Sequence, residues 1–335
     1  MLYRELASYM VNCLNKLQNE VEITVMHYPL NAEAPFIFNW NNNIICLEKN
    51  SNTLESLNLN EFHAIFVSGW ADKEYLKLTQ KFKGIKILMF DTPFENNLKF
   101  HLGSVYLKWK VKSLFQFAFV PGIAQVKLAK KIGFQEEEIK TGLYTASSEI
   151  QEKNIVLSDK KKLWCVSRYV PQKNLLLLWN CFNLSNGKKM NWELHCAGTG
   201  EGWENRTCED GIFHHGFLQP TDLNLELNSA SAFILPSSYE PWGVVVHECA
   251  KKSLPLILST AVHSNSQFLK PGKNGYLFHP NSQEELINAM NTLFNKSEDE
   301  LEAMGKISFE LSQEITVENW IDHVKYFLTS GNVRN

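Results

Sequence analysis

The sequence predicts an α/β protein made of two doubly wound, Rossmann-like domains that face each other across a cleft. Three observations lead there. The 335 residues suffice for two ordinary domains. Strand-length apolar runs alternate with longer amphipathic helical patterns, as βα units and parallel sheets require. A polar, charged stretch at 147–162 interrupts that alternation near its middle, where a linker or hinge is expected. The expected boundaries are 1–150, 151–312 and a C-terminal helix within 313–335.

In the first half the strand candidates are 21–28, 64–68, 85–90, 117–120 and 139–143. Residues 2–17 have helical periodicity, with Leu6, Met10, Cys13, Leu14 and Leu17 recurring at three and four. In the second half the strand candidates are 162–166, 192–197, 212–214, 232–236 and 254–258. Helices are expected over 282–294, 298–312 and 317–328, the last with Trp320, Ile321, Val324 and Phe327 at core spacing.

Composition excludes several classes. A 44% hydrophobic fraction suits a chain that buries a proper core. The formal net charge of -3 supplies no long-range attraction for nucleic acid, and no such partner is expected. The seven cysteines are scattered and never spaced Cys-x-x-Cys, which argues against a disulfide framework or zinc site and for a reducing compartment. No apolar run approaches the ~20 residues of a membrane-spanning helix, and no secretory pattern is visible. The expected location is cytoplasmic.

The strongest chemical signal is 237–250, Ser-Ser-Tyr-Glu-Pro-Trp-Gly-Val-Val-Val-His-Glu-Cys-Ala. An apolar strand runs into a short loop carrying Glu240, Pro241 and Gly243, and a helix begins. A loop at the C-terminal edge of a parallel strand is where α/β folds bind ligands. Free amides at a helix start hold phosphates, and a glycine lets them approach. Glu248 follows Glu240 by about two helical turns, so both carboxylates can serve one site. A carboxylate that accepts two hydroxyl hydrogen bonds is a natural clamp for ribose or sugar. Two solvated acids beside a helix turn are the plainer alternative.

The form Glu240-x7-Glu248 resembles the donor signature of the family 4, or group 1, retaining glycosyltransferases, which have the GT-B fold. The resemblance implies that Glu248 holds the donor ribose, that Glu240 contacts the transferred sugar, and that the amides of Gly243, Val244 and Val245 meet the diphosphate. A second stretch, 164–174, resembles the strand-loop in which an Arg and a Lys grip the donor phosphates, here Arg168 and Lys173. Two such cations can neutralise a leaving diphosphate without a metal. Ser167 stands where the family usually has Gly. The plainer alternative is an ordinary exposed Arg and Lys. Three weaker matches follow in order. Gly198 lies in a glycine turn at 194–201, Leu218 in the segment expected along the base, and 272–278 in a turn before the final helices. At 260–265 the family's Gly-Gly or Gly-Cys pair is replaced by Thr-Ala-Val-His-Ser-Asn. The resemblance is specific over about 163–278.

The N-terminal half should bind the acceptor. In related enzymes its first strand leads into a glycine-rich loop and a helix, but here the chain reads as helix almost at once. The first strand is therefore expected to be missing, and in a 3-2-1-4-5 sheet its loss leaves a central gap. A late start to the sequence explains this better than a rebuilt domain. Phe90 stands where many relatives place a His. Asp91 follows, either to contact an acceptor or sugar hydroxyl or to cap a turn before Thr92-Pro93. His63, His101, His195 and His247 read more simply as packing or surface residues, and no His cluster has metal-ligand spacing. At 99–112, Lys99, Lys108, Lys110 and Lys112 interleave with aromatic and aliphatic residues. That pattern is read either as peripheral membrane contact or as a solvated helix face packed on the core.

The expectation is a retaining glycosyltransferase that moves a sugar from a nucleotide-sugar donor to a saccharide or lipid-linked saccharide acceptor, with no cofactor and no metal. A catalytically impaired nucleotide-sugar-binding protein, or an epimerase or hydrolase on the same fold, is the alternative.

Overall fold

A computed structural model describes residues 1–31, 35–152 and 160–330, and every side chain within them except that of Lys99. The chain divides into two compact units. One comprises Met1–Ser147 with the described part of Ile315–Asn335, the other Ser148–Glu314. Part of the expected linker, residues 153–159, lies outside the described residues.

The N-terminal unit runs β1 (Leu2–Tyr3), α1 (Ser8–Leu17), β2 (Ile23–His27), β3 (Ile44–Glu48), α2 (Ser51–Ser56), β4 (Ala64–Ser68), α3 (Lys73–Lys81), β5 (Ile85–Met89), α4 (Leu98–Lys110), β6 (Phe117–Phe119), α5 (Ile123–Ile132) and β7 (Ile139–Lys140). Its sheet is parallel throughout, in the order β3-β2-β1-β4-β5-β6-β7. The expected central gap is absent. Leu2 and Tyr3 occupy it, pairing with Met26 and His27 on one side and with Val67 on the other. Both side chains are buried. A strand of two residues is too short for any period to register, so the helical pattern of 6–17 overran it. The helix itself starts at Ser8. The edge strand β3 was not anticipated. Its alternation is weak because only Ile44 is buried.

The C-terminal unit runs β8 (Lys161–Val166), α6 (Leu175–Leu184), β9 (Trp192–Ala197), β10 (Ile212–His214), α7 (Pro220–Glu226), β11 (Ala232–Leu235), α8 (Val244–Lys251), β12 (Leu256–Ser259), α9 (Asn265–Phe268), β13 (Gly275–Phe278), α10 (Gln283–Phe294) and α11 (Glu298–Ser312). This second parallel sheet is ordered β10-β9-β8-β11-β12-β13. Strands β11 and β12 are buried on both faces, which explains their unbroken apolar runs. Residues 275–278, read from sequence as part of a turn, complete the sheet as β13. Helix starts follow local chemistry: Ser297 and Glu300 form a capping box on α11, and Ser282 caps α10.

The last helix, α12 (Val317–Ser330), packs on the N-terminal sheet. Val317, Trp320, Ile321, Val324 and Phe327 join the core formed by Leu14, Ile87, Phe117 and Phe119. The Phe327 ring centroid lies 5.2 Å from that of Phe117 and 5.5 Å from that of Phe119, and the Trp320 indole donates to the Leu143 carbonyl at 3.1 Å. Phe327 is fully buried. Phe327→Ala is therefore expected to destabilise the N-terminal unit by about 3–5 kcal/mol. Urea unfolding followed by circular dichroism checks this; a loss under about 1 kcal/mol would mean that α12 is dispensable to this core.

Candidate functional site

Both sheets have the same switch point. In the C-terminal unit the chain builds outward from β8 through β9 to β10, then returns to place β11 on the other side of β8. The loops after β8 and β11 therefore leave adjacent strands toward opposite faces, which opens a crevice at the C-terminal edge of the sheet. Arg168 and Lys173 lie on the first of these loops. Glu240 and Gly243 lie on the second.

Local contacts fix both loops. After β8 the chain makes a short 3-10 turn, Pro171–Lys173, and Asn174 then takes the left-handed conformation at the start of α6. The Asn174 amide donates to the Pro280 carbonyl at 2.8 Å. Ser238 donates to the Gln172 carbonyl with its backbone N–H at 2.8 Å and with its hydroxyl at 3.1 Å, tying one loop to the other. Lys173 and Glu240 then meet in an ion pair with both side chains nearly buried. Burial of such a pair makes each member costly to remove singly.

Glu240 is also held by its backbone. Its N–H donates to the Ala261 carbonyl at 3.0 Å, and its carbonyl accepts from the His263 N–H at 3.1 Å. The segment 260–265, which departs from the family pattern, thus forms one wall beside Glu240. Gly243 adopts φ 82° at the start of α8, and a Cβ there would lie 3.1 Å from Glu240 Cγ. Any other residue would meet both the left-handed backbone and the catalytic-candidate carboxylate. Val244 and Val245 follow as the first helical residues, and their N–H groups have no acceptor within the helix.

Glu248 sits one turn further along α8. Its carboxyl is only partly exposed and has no hydrogen-bond partner among the described residues. Burial pushes its pKa up to about 7, against the pull of Lys251. His247, its neighbour, serves packing instead: it is buried, stacks on Phe268 at 4.5 Å and contacts the Ser312 carbonyl at 2.9 Å, with burial holding its pKa at about 3. Arg168 is exposed, with no partner among the described residues.

Gly198 adopts φ 129°. A Cβ there would fall 1.9 Å from the Ser167 carbonyl oxygen, so only glycine lets the loop after β9 approach the loop after β8. Its N–H donates to the Gly216 carbonyl at 2.7 Å, which joins the loop after β10 to the same edge. Leu218 follows, half-buried. His195 belongs to the scaffold, stacked between Trp164 and Phe213 and bonded to His215 at 2.9 Å.

Asp91 belongs to the N-terminal unit, just past the C-terminal end of β5. The Gln125 amide donates to its carbonyl at 2.9 Å, and the Tyr144 hydroxyl donates to Asp91 Oδ2 at 3.4 Å. Burial, reinforced by Asp91, raises the Tyr144 pKa well above its usual value, so Tyr144 stays protonated as the donor. Phe90 is buried. His63 and His101 are exposed and contact the Leu328 carbonyl and Asn96 respectively. Sequence reasoning missed Asn174, Ser238, Gln125 and Tyr144. Of these only Asn174 carried a signal, since Asn is the residue after Gly that best tolerates a left-handed helix entry. Among the described residues no group of three or more His, Cys, Asp or Glu has the arrangement of a metal site.

Residues 147–310 match the family described as Glycosyl transferases group 1. A curated relative from Haemophilus influenzae, described as an uncharacterized glycosyltransferase, is 26% identical over 178 residues, 51% of this chain and 49% of that protein. The lipopolysaccharide 1,6-galactosyltransferase of Escherichia coli is 29% identical over 117 residues, 32% of each chain. The chain thus spans about half the length of the first of these curated relatives and a third of the second. Among solved structures, Anabaena HepE in complex with UDP and glucose has a TM-score of 0.72 at 12% identity, covering 98% of this chain and 99% of that one. The fold is that of the GT-B glycosyltransferases. Within it, the segment 147–310 is similar to the group 1 glycosyl transferases.

The raised Glu248 pKa fixes a sign. The native carboxyl holds its proton up to about pH 7, whereas the unfolded one releases it near the ordinary glutamate value of 4.5. Stability from this group is full at acid pH and is lost as pH rises through 7. Glu248→Gln is expected to flatten that loss, and so to be the more stable protein at about pH 8 by about 2 kcal/mol. Thermal midpoints of both proteins from about pH 5 to about pH 8 check this. Parallel profiles would show that Glu248 ionises normally.

Proposed function

We propose that the protein is a retaining glycosyltransferase that carries a glycosyl unit from a nucleotide sugar to a saccharide or lipid-linked saccharide, in the synthesis of cell-surface polysaccharide or lipopolysaccharide on the cytoplasmic side of the membrane. The observation that carries this reading is the switch point of the C-terminal sheet. There, a guanidinium, helix amides and a carboxyl that have no partner among the described residues issue from the loops after two adjacent strands. A nucleoside diphosphate-sugar has the matching groups in series: ribose hydroxyls, a diphosphate and sugar hydroxyls.

In this reading Glu248 accepts the ribose hydroxyls, while Arg168 and the Val244 and Val245 amides meet the diphosphate. Lys173 has three donors. One goes to Glu240, and the others face phosphate or sugar oxygens. Glu240 Oε1 is left for a hydroxyl of the transferred sugar. The bond between the anomeric carbon and the diphosphate oxygen breaks, and the acceptor oxygen bonds to that carbon on the face the diphosphate leaves. The acceptor proton passes to the departing phosphate, whose charge Arg168 and Lys173 stabilise. No protein nucleophile is assigned. Asp91, oriented by Tyr144, is the candidate to hold the acceptor on the N-terminal unit. The 26%-identical and 29%-identical relatives described as glycosyltransferases support the reaction class.

A thermal-shift panel of UDP-, GDP-, ADP- and CDP-sugars tests the reading, since a true donor raises the melting temperature by mass action. One nucleotide class should stand out, and turnover with acceptor should continue in a chelator. No shift with any donor would end the proposal. Product NMR showing inversion at the anomeric carbon would end its retaining part.

Variants divide the roles. Arg168→Ala is expected to weaken nucleotide binding at least about tenfold with an unchanged melting temperature, because Arg168 supports no fold contact. Lys173→Ala should weaken binding and also cost about 3 kcal/mol of stability by stranding Glu240. Glu248→Ala should weaken donor and free nucleotide alike, whereas Glu240→Ala should chiefly lower turnover. Calorimetric nucleotide titration beside an activity assay separates these outcomes. Unchanged nucleotide affinity in Glu248→Ala would remove it from the ribose.

A further inference from the structure

Helix α4 has two apolar faces, and only one of them is buried. Ser104 and Leu107 turn inward, continuous with the buried Val111. On the opposite face stand Leu98, Leu102, Val105, Tyr106 and Trp109, all strongly exposed, up to 74% for Leu98 and 78% for Trp109. At about 100° per residue these five fall within an arc of about 100°, a continuous stripe along the whole helix. Isolated exposed apolar residues are ordinary, but five in one row are not. A helix that is apolar all round ordinarily has both faces covered.

The flanks of the stripe show what covers it. By the same helical wheel, Lys110 lies beside one border and Lys108 beside the other. Both are exposed, and neither is engaged in an ion pair among the described residues. This differs from Lys112, which is bound to Glu138 at 3.2 Å and lies over the Phe134 ring, and from Lys130, which is paired with Glu136. Among the described side chains, the lysine run of 99–112 therefore separates into one cation used by the fold, Lys112, and two left beside the stripe, Lys108 and Lys110. An apolar ridge with an indole at one end and lysines on both borders has the layout of an interfacial helix. The ridge enters the acyl boundary, the indole sits at the headgroups, and the lysine stems reach up to anionic phosphates.

We propose that α4 docks this protein on an anionic lipid bilayer, with Leu98, Leu102, Val105, Tyr106 and Trp109 inserted and Lys108 and Lys110 on lipid phosphates. The chain enters α4 from the C-terminal edge of β5, seven residues after Asp91. Docking through α4 would bring that edge to the membrane surface, where the sugar of a lipid-linked acceptor is presented. The docking itself does not depend on the transfer reading, because lipid binding is measured without turnover.

Flotation of the full chain with vesicles tests it, comparing pure phosphatidylcholine with phosphatidylcholine mixed with phosphatidylglycerol. The protein should float with the anionic vesicles, and less so as salt is raised. L102S/W109S should bind at least about tenfold more weakly. K108Q/K110Q leaves all apolar surface intact and should lose about fivefold per lysine on anionic vesicles only. Unchanged melting temperatures and unchanged nucleotide-induced shifts in these variants keep the result separate from folding and from donor binding. The proposal is overturned if the wild-type chain does not float with anionic vesicles, or if both variants float as well as it does. It is also overturned if sedimentation reveals a dimer that W109S abolishes, which would assign the stripe to a second copy.

Discussion

The pairing of Lys173 with Glu240 is the contact on which the candidate site depends. Two loops from adjacent strands, each free to diverge after leaving the sheet, are pinned where they matter by one nearly buried ion pair. The pair would be expensive if left incomplete, and everything around it keeps it complete. Asn174 and Ser238 anchor the backbone on either side, and the 260–265 wall holds Glu240 by its own N–H and carbonyl. Gly243 keeps the space beside the carboxylate open. Polar groups are therefore preorganised without being used up: one ammonium is shared, while a guanidinium, two amides and a carboxyl stay available.

Glu248 and Glu240 illustrate how two acids in one motif come to differ. Glu240 has its cation in place. Glu248, half-buried, has none among the described residues and resists ionisation until about neutral pH. A ligand that donates hydroxyls to Glu248 would favour its charged form, so occupancy and proton release would be linked there. A motif spacing alone cannot express that asymmetry, because it arises from burial and from a lysine sixty-seven residues away.

The legibility of this chain in its sequence follows physical rules. Strands such as β11 and β12 announced themselves because burial on both faces demands uninterrupted apolar runs, and α12 did so by its regular core spacing. The loop motifs were legible because glycine, proline and carboxylate at fixed offsets have few other uses. Strand β1 was hidden because two residues bear no period, and β3 because an edge strand buries little. The Lys173–Glu240 contact and the Tyr144–Asp91 bond were not legible, since each joins residues whose meeting depends on the finished sheet order. The exposure of the α4 stripe was equally invisible: periodicity marks a helix as apolar on two sides without saying which side the core takes.

The return of α12 to the first sheet makes the N-terminal unit discontinuous, whereas 148–314 is a single stretch. Domains of most proteins mature in the order in which the ribosome delivers them. Here the N-terminal unit lacks Trp320, Val324 and Phe327 until the whole of 148–314 has been made, while that second unit has its core in hand beforehand. The second unit can therefore reach its final packing during synthesis. The unit translated first waits with part of its apolar interior uncovered, which makes it the segment for which chaperone protection would matter most.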